Sequence, residues 1–499
     1  MTDRVIYVDD QVTVLDGCVQ TLDAVKPTPA NAFAGGLAGL LDRIAPRFGG
    51  EGVVALGAGA VTALGLPARP IEGPRGRDDH GVQLVDEHTA SAVVAELARG
   101  GWSCNRVSDW STVYGGGRPK LHVLNTRLVD SATFPLWSTQ PLDLVARLRL
   151  WHELTGYAWR LSPAASGLAV MTGLDRARVD RVVARQRPAS QEDKARRRVE
   201  TTWKAAGLDA PDGAYEDDFR RRYWARTPPA EELQPFAHCF DGIRAYMAAA
   251  LLCEVSPWPL KHTGRIRFNR RLAGWWLVEL APWNDPRMPD PAGYVDLVDG
   301  SDRRRLVRWI TTPTLILLEE LTAEGVYGGV RIIDSYTGPA RDYPLREYAQ
   351  RMDDAYQFSV RVDGKRRAVD YPLVGADDVA AIESAVKMVG HKTYGALDSA
   401  TNWAYRPHWW YSILALSRAN LWRKLWAVGK NTGQWPLWVE VDAVWYGSTC
   451  EDPQEAATVL QFPGPSGPKG IVLDMEGKQF GRFTPKGTRR LRRPRTVAA

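Results

Sequence analysis

The sequence predicts a multidomain protein that mixes α/β and α+β architecture, and three observations support this prediction. The chain has 499 residues, which at roughly 150 residues per domain corresponds to two to four packed units. Hydrophobic residues make up 44% of the chain and charged residues 24%, as in ordinary globular proteins. Short strand-like runs alternate with longer helical stretches at no fixed period, which argues against solenoids and propellers.

The first section, residues 1–185, contains both kinds of element. Short apolar runs predict strands at 5–8, 52–56 and 121–124. An Ala-rich stretch predicts a helix at 90–98. We therefore expect one α/β domain here.

The rest of the chain is divided by changes in composition. We expect a charged helical linker at 186–235, a segment that begins with a strand at 236–300 and a long insertion at 301–378. Two apolar helices at 379–430, a section with a strand at 437–444 within 431–450, and a last section at 451–499 follow. The basic tail runs from Arg482 to Arg495, carries seven basic residues and is interrupted by Pro, and we expect it to be mobile.

Charge and aromatic content leave two interpretations open. The formal net charge is +6, and the chain has 20 Trp. Basic charge with many flat rings fits a surface that contacts phosphates and stacks on bases. It fits a large core with a solvated basic face equally well.

Cysteine usage and hydropathy indicate the compartment. Five cysteines are scattered and never form CxxC, which argues against a disulfide framework and a structural zinc site. No apolar run of about 18 residues predicts a membrane span, and the first residues lack a secretory pattern. We therefore expect a cytoplasmic protein with no membrane partner. The excess of Arg over Lys, with abundant Ala, Val and Gly, indicates a bacterium or bacterial host of high-GC genome, and we expect a monomer.

Two glycine patterns have a simple structural interpretation. The run Gly57-Ala58-Gly59 lacks the third glycine of a dinucleotide-binding fingerprint, so we expect a closely packed helix start. The run Gly115-Gly116-Gly117 lacks the Lys-Ser/Thr of a phosphate-binding loop, so we expect a hairpin tip.

Three separated stretches carry candidate chemistry. In the first, an apolar run ends at Asp241 and Tyr246 follows five residues later, which puts a carboxylate at a strand end and a ring one helical turn beyond. In the second, Lys387, His391 and Tyr394 lie at i, i+4 and i+7 of a predicted helix, hence on one face. Such a face can grip a triphosphate, a base and a sugar.

The third stretch is the predicted strand 437–444. Alternation at period 2 predicts that Glu440 and Asp442 lie on the same side of it. Each stretch alone has a structural explanation: Asp241 as a cap, Lys387 and His391 as a solvated helix face, and the acidic pair as the polar face of a half-buried strand.

Together the three stretches resemble the motifs of family B DNA polymerases. The first palm motif, DxxSLYPS, is matched by Asp241 and Tyr246, and the fingers motif, KxxxNSxYG, by Lys387, Tyr394 and Gly395. The second palm motif, YxDTDS, aligns with Trp438, Glu440, Val441, Asp442 and Ala443, and its second aspartate, the metal ligand, falls on Asp442. The spacing is most similar to the protein-primed phage and plasmid subgroup.

The resemblance implies a right-hand polymerase behind an exonuclease-like α/β domain. The domains are then an exonuclease-like domain at 1–185, a palm at 236–300 and 431–450, an insertion and the start of the fingers at 301–378, fingers helices at 379–430, and a short thumb with a basic tail at 451–499. The partners implied are a DNA template, a primer or terminal protein, and deoxynucleoside triphosphates.

The resemblance also implies a role for each candidate residue. Asp241 and Asp442, with Glu440 beside them, would hold two Mg²⁺ ions, which Mn²⁺ can replace. Lys387, Tyr246, His391, Tyr394 and Gly395 would bind the nucleotide. The DNA duplex would contact basic residues near the C-terminus, namely Lys478, Lys486, Arg489, Arg490, Arg492 and Arg493.

Departures from the family motifs leave a second interpretation. Glu440, Ala443 and His391 stand where the family has Asp, Ser and Asn. In the N-terminal section, the nearest match to the exonuclease DxE is Asp9-Asp10-Gln11, whose last residue carries no charge. We expect synthesis without proofreading. The alternative is a catalytically inactive, polymerase-derived protein that binds nucleic acid during replication.

Overall fold

The structure is a computed structural model of the chain. It describes residues 3–9, 12–15, 18–21, 35–67, 87–104, 107–131, 134–160, 162–186, 211, 223–226, 228–229, 232–256, 259–293, 306–339, 345–362, 364–369, 375–399 and 402–491. Asp10, Gln11, Arg492 and Arg493 lie outside them.

The chain forms two compact units. The first consists of Met1–Ala177 and Gln350–Gly395, and the second of Arg178–Ala349 and Ala396–Ala499. Each unit contains both helices and strands. The predicted mixed α/β, multidomain fold class is therefore confirmed.

The described helices are, in chain order, α1 Gly36–Ile44, α2 Ala58–Ala63, α3 Glu87–Arg99, α4 Pro141–Thr155, α5 Pro163–Gln186, α6 Ala245–Ala250, α7 Thr312–Ala323, α8 Arg346–Tyr356, α9 Ala376–Ala396, α10 Pro407–Thr432 and α11 Pro453–Thr458.

The described strands are β1 Asp3–Val8, β2 Val12–Leu15, β3 Cys18–Thr21, β4 Phe48–Leu56, β5 Ser103–Cys104, β6 Trp110–Tyr114, β7 Leu121–Asn125, β8 Tyr223–Ala225, β9 Phe236–Gly242, β10 Lys261–His262, β11 Leu272–Leu280, β12 Leu306–Thr311, β13 Val330–Pro339, β14 Ser359–Val362, β15 Lys365–Ala368, β16 Trp438–Glu440, β17 Ala443–Ser448, β18 Gln461–Phe462, β19 Lys469–Gly470 and β20 Phe483–Arg490.

A seven-stranded sheet organises the first unit, in the order β3-β2-β1-β4-β7-β6-β5. Strand β4 runs parallel to β1 and β7, and the other neighbours are antiparallel. The central strands are apolar on both faces, and Val54 and Leu56 are fully buried among the helices α1 and α3. A parallel centre with apolar runs is typical of a sheet covered on both sides.

Two larger sheets and the short strand pair β18-β19 lie in the second unit. One larger sheet has five strands in the order β20-β9-β17-β16-β8, and the other has four in the order β10-β13-β11-β12. A single core packs one face of the five-stranded sheet, represented by Phe240 and Val444, against helices α7 and α10. The opposite face carries a smaller cluster around Trp445. The ends of β9 and β16 position the candidate site.

Most predicted elements lie within observed ones, and two predictions were wrong. The run 437–444 is two strands joined by a turn, because β16 ends at Glu440 and β17 begins at Ala443. The start of the predicted basic tail is the ordered strand β20, which pairs with β9. Gly115–Gly117 lie between the antiparallel strands β6 and β7, as predicted. No helix in the described ranges combines the length and apolarity needed to cross a bilayer.

Candidate active site

Asp241 is held at the end of a central strand. The residues before it in β9, from Phe236 to Phe240, are buried, so the strand is fixed by its core. Asp241 pairs with Ala443 of β17 and Thr484 of β20. Its side chain is 18% exposed. A carboxylate on a rigid strand end with partial solvent access suits a ligand site.

Asp442 reaches the same place through a tight hairpin turn. Glu440 pairs with Ala443, so Val441 and Asp442 form a two-residue connection between β16 and β17. The backbone N–H of Gly242, next to Asp241, donates to the carbonyl oxygen of Asp442 at 3.0 Å. The turn therefore brings Asp442 to the end of β9.

The turn has an unfavourable backbone conformation. Val441 has a φ of 59°, in the left-handed region that a β-branched residue rarely adopts. Such conformations cost on the order of 1–3 kcal/mol and cluster at functional sites. Val-Asp lacks the glycine or asparagine typical of two-residue hairpins, so this turn could not be predicted from the sequence.

The two carboxylates influence each other electrostatically. Burial raises the pKa of Asp442 to about 6, with a further contribution from the charge of Asp241. A buried carboxylate beside another is costly to ionise unless a cation is near. The pair therefore attracts positive charge.

Lys486 supplies such a charge. Its Nζ lies 2.7 Å from Oδ2 of Asp241. Burial lowers the pKa of Lys486, but the bond to Asp241 and the charges of Asp241 and Asp442 outweigh burial and raise it. The register of β20 against β9 shifts between Pro485 and Gly487, so Lys486 is the extra residue of a β-bulge, a feature that re-aims side chains.

The other basic candidates on the second unit lie on or beside β20. Arg489 lies over the ring of Trp445 at 4.7 Å and over that of Trp438 at 5.7 Å, and these two rings are stacked. Arg490 lies over Phe236 at 5.7 Å. Lys478 is 3.7 Å from Glu476. Arg489 and Arg490 are exposed, and Lys478 is half-buried.

Tyr246 and Arg244 follow Asp241 closely. Tyr246 is half-buried near the start of α6, and its ring meets that of Trp410 edge-on at 5.7 Å. Arg244 has a φ of 47°. Its guanidinium lies 4.4 Å from the ring of Phe480 and donates to the carbonyl oxygen of Lys478. This left-handed residue separates strand β9 from α6.

A small cavity beside Asp442 contains a lysine that the sequence did not single out. The cavity is about 110 Å³ and lies between α6, α10 and the start of β20. Lys424 of α10 lines it, donates to the carbonyl oxygen of Gly481 at 2.5 Å, and lies 4.7 Å from the ring of Phe483. Burial, with the charge of Arg482, lowers the pKa of Lys424 to about 8. A lysine inside a Trp-rich helix gives no signal in sequence.

The remaining candidates belong to the first unit, on helix α9. Lys387 and His391 are exposed, as expected for one helix face. Lys387 lies 5.4 Å from the ring of Tyr356, and burial, with the charge of Lys392, lowers the pKa of His391. Tyr394 is instead only 1% exposed, so its ring belongs to the core. Gly395 is open, with no atom near its missing Cβ.

In the N-terminal sheet, Asp9 has a structural contact. Its Oδ1 accepts a hydrogen bond from the backbone N–H of Ala60 at 3.0 Å, in the first turn of α2. Its Oδ2 accepts from the hydroxyl of Tyr7 at 3.3 Å. A Cβ at Gly57 would collide with both side chains, which accounts for the glycine at this helix start.

Comparisons with known proteins give distant structural similarity. No protein-family model matches the chain, and no curated protein matches its sequence. The fold is similar to phi29 DNA polymerase complexed with primer-template DNA and incoming nucleotide substrates, at 10% identity and a TM-score of 0.43 over 98% of this chain and 85% of that one.

Two other solved structures give similar values. The chain is similar to phi29 DNA polymerase complexed with single-stranded DNA at 10% identity and a TM-score of 0.40, over 96% of this chain and 80% of that one. The orthorhombic crystal form of phi29 DNA polymerase gives 9% identity and a TM-score of 0.41, over 96% and 81%.

Proposed function

We propose that this protein is a template-directed DNA polymerase that adds deoxynucleotides to a 3′-hydroxyl or to a protein hydroxyl. One observation carries the proposal: Asp241 and Asp442, distant in sequence, meet at the ends of paired strands, and a cation lies against one of them. Their order and spacing with Lys387 resemble the family B polymerase motifs.

The donor set fits Mg²⁺. Carboxylate oxygens are the ligands that this ion prefers, and it usually takes one or two of them and completes its shell with water and substrate phosphates. No group of three or more His, Cys, Asp or Glu in the described ranges is arranged to hold a metal, so protein ligands would be Asp241 and Asp442. When bound, two such ions would lower the pKa of the attacking hydroxyl and stabilise the leaving pyrophosphate.

The chain's own residues supply binding and orientation. Asp241 and Asp442 provide the negative charge that concentrates cations at the strand ends. Lys387 would neutralise the triphosphate, with His391 beside it, and the backbone at Tyr394 and Gly395 would support the new base pair. The cations on and beside β20 suit phosphate contacts with the duplex.

Tyr246 would select the sugar. Tyr246 follows Asp241 by five residues, and its ring packs edge-on against that of Trp410. A ring under the sugar would exclude a 2′-hydroxyl by steric contact. This assigns discrimination to shape, with no hydrogen bond required.

Primer extension with Mg²⁺ or Mn²⁺ tests the proposal. Wild-type protein should extend a primed template, and Asp442→Asn should abolish extension while duplex binding survives, because the phosphate-contacting cations are unchanged. A matched control is Glu451→Gln, which removes the charge of an exposed carboxylate of the second unit. Equal extension by wild type and Asp442→Asn would refute the assignment of this carboxylate.

The same assay addresses the second candidate function. The second candidate, an inactive, polymerase-derived binding protein, is suggested by Glu440, Ala443 and His391, which depart from the family motifs. Wild type that binds primed DNA but incorporates no nucleotide with either metal would favour this candidate. Assays with an oligonucleotide primer and with a protein hydroxyl distinguish the two acceptors.

A further inference from the structure

One segment of the second unit presents basic side chains that the proposed active site does not use. Between Glu254 and Glu279 the chain contains no carboxylate, and residues 261–271 contain six basic side chains: Lys261, His262, Arg265, Arg267, Arg270 and Arg271. All six are exposed. We call residues 261–271 the basic segment.

The basic segment is fixed at both ends. The hydroxyl of Thr263 bonds with those of Ser335 and Thr337, and the hydroxyl of Ser335 donates to the carbonyl oxygen of Gly264 at 2.6 Å. At the other end, the side chain and carbonyl of Asn269 accept from the backbone N–H groups of Arg271 and Leu272. The backbone course is therefore defined.

Between these ends the side chains alternate. Ile266 and Phe268 are half-buried and pack on the main core of the unit, where the ring of Phe268 meets that of Trp276 edge-on at 5.3 Å. Arg265 and Arg267 are exposed. Because an extended chain directs successive side chains to opposite sides, the apolar anchors hold these two arginines outward.

Most of the charge is not neutralised locally. His262 bonds to Asp334 at 2.8 Å, and Arg270 to Glu320 at 3.1 Å. Lys261, Arg265, Arg267 and Arg271 have no ion pair with any residue of the described ranges. Arg271 also lines a cavity of about 210 Å³ with Arg423.

We propose that the basic segment is a docking surface for the phosphate backbone of duplex DNA, separate from the metal-binding carboxylates; this rests on the proposed function. Arginine presents a planar fork that matches phosphate geometry, and the ordered backbone of the segment loses little conformational entropy on binding. The aromatic and aliphatic side chains within the segment point inward, so it offers neither a base-stacking platform nor an apolar anchor for a lipid surface. Contact should therefore be independent of base sequence.

The salt dependence of DNA binding tests this surface. Each phosphate contact contributes about 0.9 to the slope of log affinity against log salt concentration for duplex DNA. For the full chain and a 30-base-pair duplex, Arg265→Gln/Arg267→Gln/Arg271→Gln should make the slope shallower by about 2–3. The triple variant Arg265→Lys/Arg267→Lys/Arg271→Lys should keep most of the slope, which separates lost charge from misfolding.

The matched control removes the same charge elsewhere. Arg43→Gln/Arg47→Gln/Arg99→Gln changes three exposed arginines of the first unit and should leave the slope unchanged. An unchanged slope in the Gln variant of the basic segment overturns the inference. The inference is also overturned if this variant binds DNA like wild type but no longer binds vesicles containing phosphatidylserine. If wild type fails to incorporate nucleotides but the slope changes as expected, the proposed polymerase activity fails and this surface stands. If wild type incorporates nucleotides and the Gln variant leaves the slope unchanged, the polymerase activity stands and this surface fails.

Discussion

Asp442 is placed where its charge costs stability. Its pKa of about 6 in the folded protein, raised by burial and by Asp241, exceeds the ordinary value of 3.8. A carboxyl with a raised folded-state pKa contributes stability below pH 3.8 that is lost as the pH rises through 6. Asp442→Asn, neutral at every pH, should therefore be more stable than wild type at pH 8, by up to about 2–3 kcal/mol, and this gain should shrink toward pH 4.

Chemical unfolding in EDTA at pH 4, 6 and 8 measures this difference. Asp241→Asn is the informative control, because it removes the carboxylate that pairs with Lys486 and should not stabilise the protein. Equal unfolding free energies for wild type and Asp442→Asn at pH 8 would show that Asp442 is not destabilised by burial. A gain in stability with a loss of extension would be typical of a functional residue.

Tyr246 makes a prediction about substrate choice at the same scale. If its ring lies under the sugar, Tyr246→Ala should raise ribonucleotide use relative to deoxynucleotide use, because the barrier is steric. Tyr246→Phe keeps the ring and should keep the ratio. Single-nucleotide incorporation measured with matched ribo- and deoxynucleotides gives the ratio directly. A ratio unchanged in Tyr246→Ala would return this ring to a packing role against Trp410.

At the scale of elements, the β16–β17 hairpin depends on the strained Val441. Glycine adopts a positive φ freely, so Val441→Gly should relieve strain on the order of 1–3 kcal/mol, partly offset by about 1 kcal/mol from the greater freedom of the unfolded chain. The net change expected is neutral to stabilising. In contrast, Val439→Gly, at a fully buried position of β16, should destabilise by several kcal/mol through a cavity. Urea unfolding measures the free energy of unfolding of both variants. A large destabilisation by Val441→Gly would show that the backbone of Val441 is not strained.

The same hairpin shows why part of the site was not predictable from sequence. Apolar runs identified β1, β4, β7, α3, α9 and α10 because periodicity reports burial directly. The identity of Asp241 and Asp442 as candidates also came from sequence, through their motif order. The turn at Val441 did not, because it is imposed by neighbouring strands and has no turn residue of its own.

Strand β20 was missed for a related reason. Pro485 and Gly487 disfavour strands, yet a proline is tolerated on an edge strand and a bulge absorbs the irregularity. The ion pair between Lys486 and Asp241 depends on that bulge. Contacts between distant segments of this kind are decided by tertiary pairing, which a single sequence does not report.

At the scale of the whole molecule, the candidate chemistry is divided unevenly between the two units. The second unit holds the paired carboxylates with a cation against them. In the first, the carboxylate of Asp9 is engaged by the backbone of Ala60 and by Tyr7. We therefore expect no exonuclease activity from this carboxylate.

The prediction that the protein does not proofread is testable on the intact chain. Exonucleolysis by a two-metal route needs several carboxylates converging on one phosphate, whereas Gln11 stands where the DxE motif requires Glu. Incubation with 3′-labelled single-stranded DNA and Mg²⁺, without nucleotides, should release no more label than a sample lacking protein. Asp9→Ala should leave that result unchanged and lower stability by about 1 kcal/mol, because it removes a bond to the first turn of α2. Steady release that disappears in Asp9→Ala would instead identify Asp9 as part of a working exonuclease.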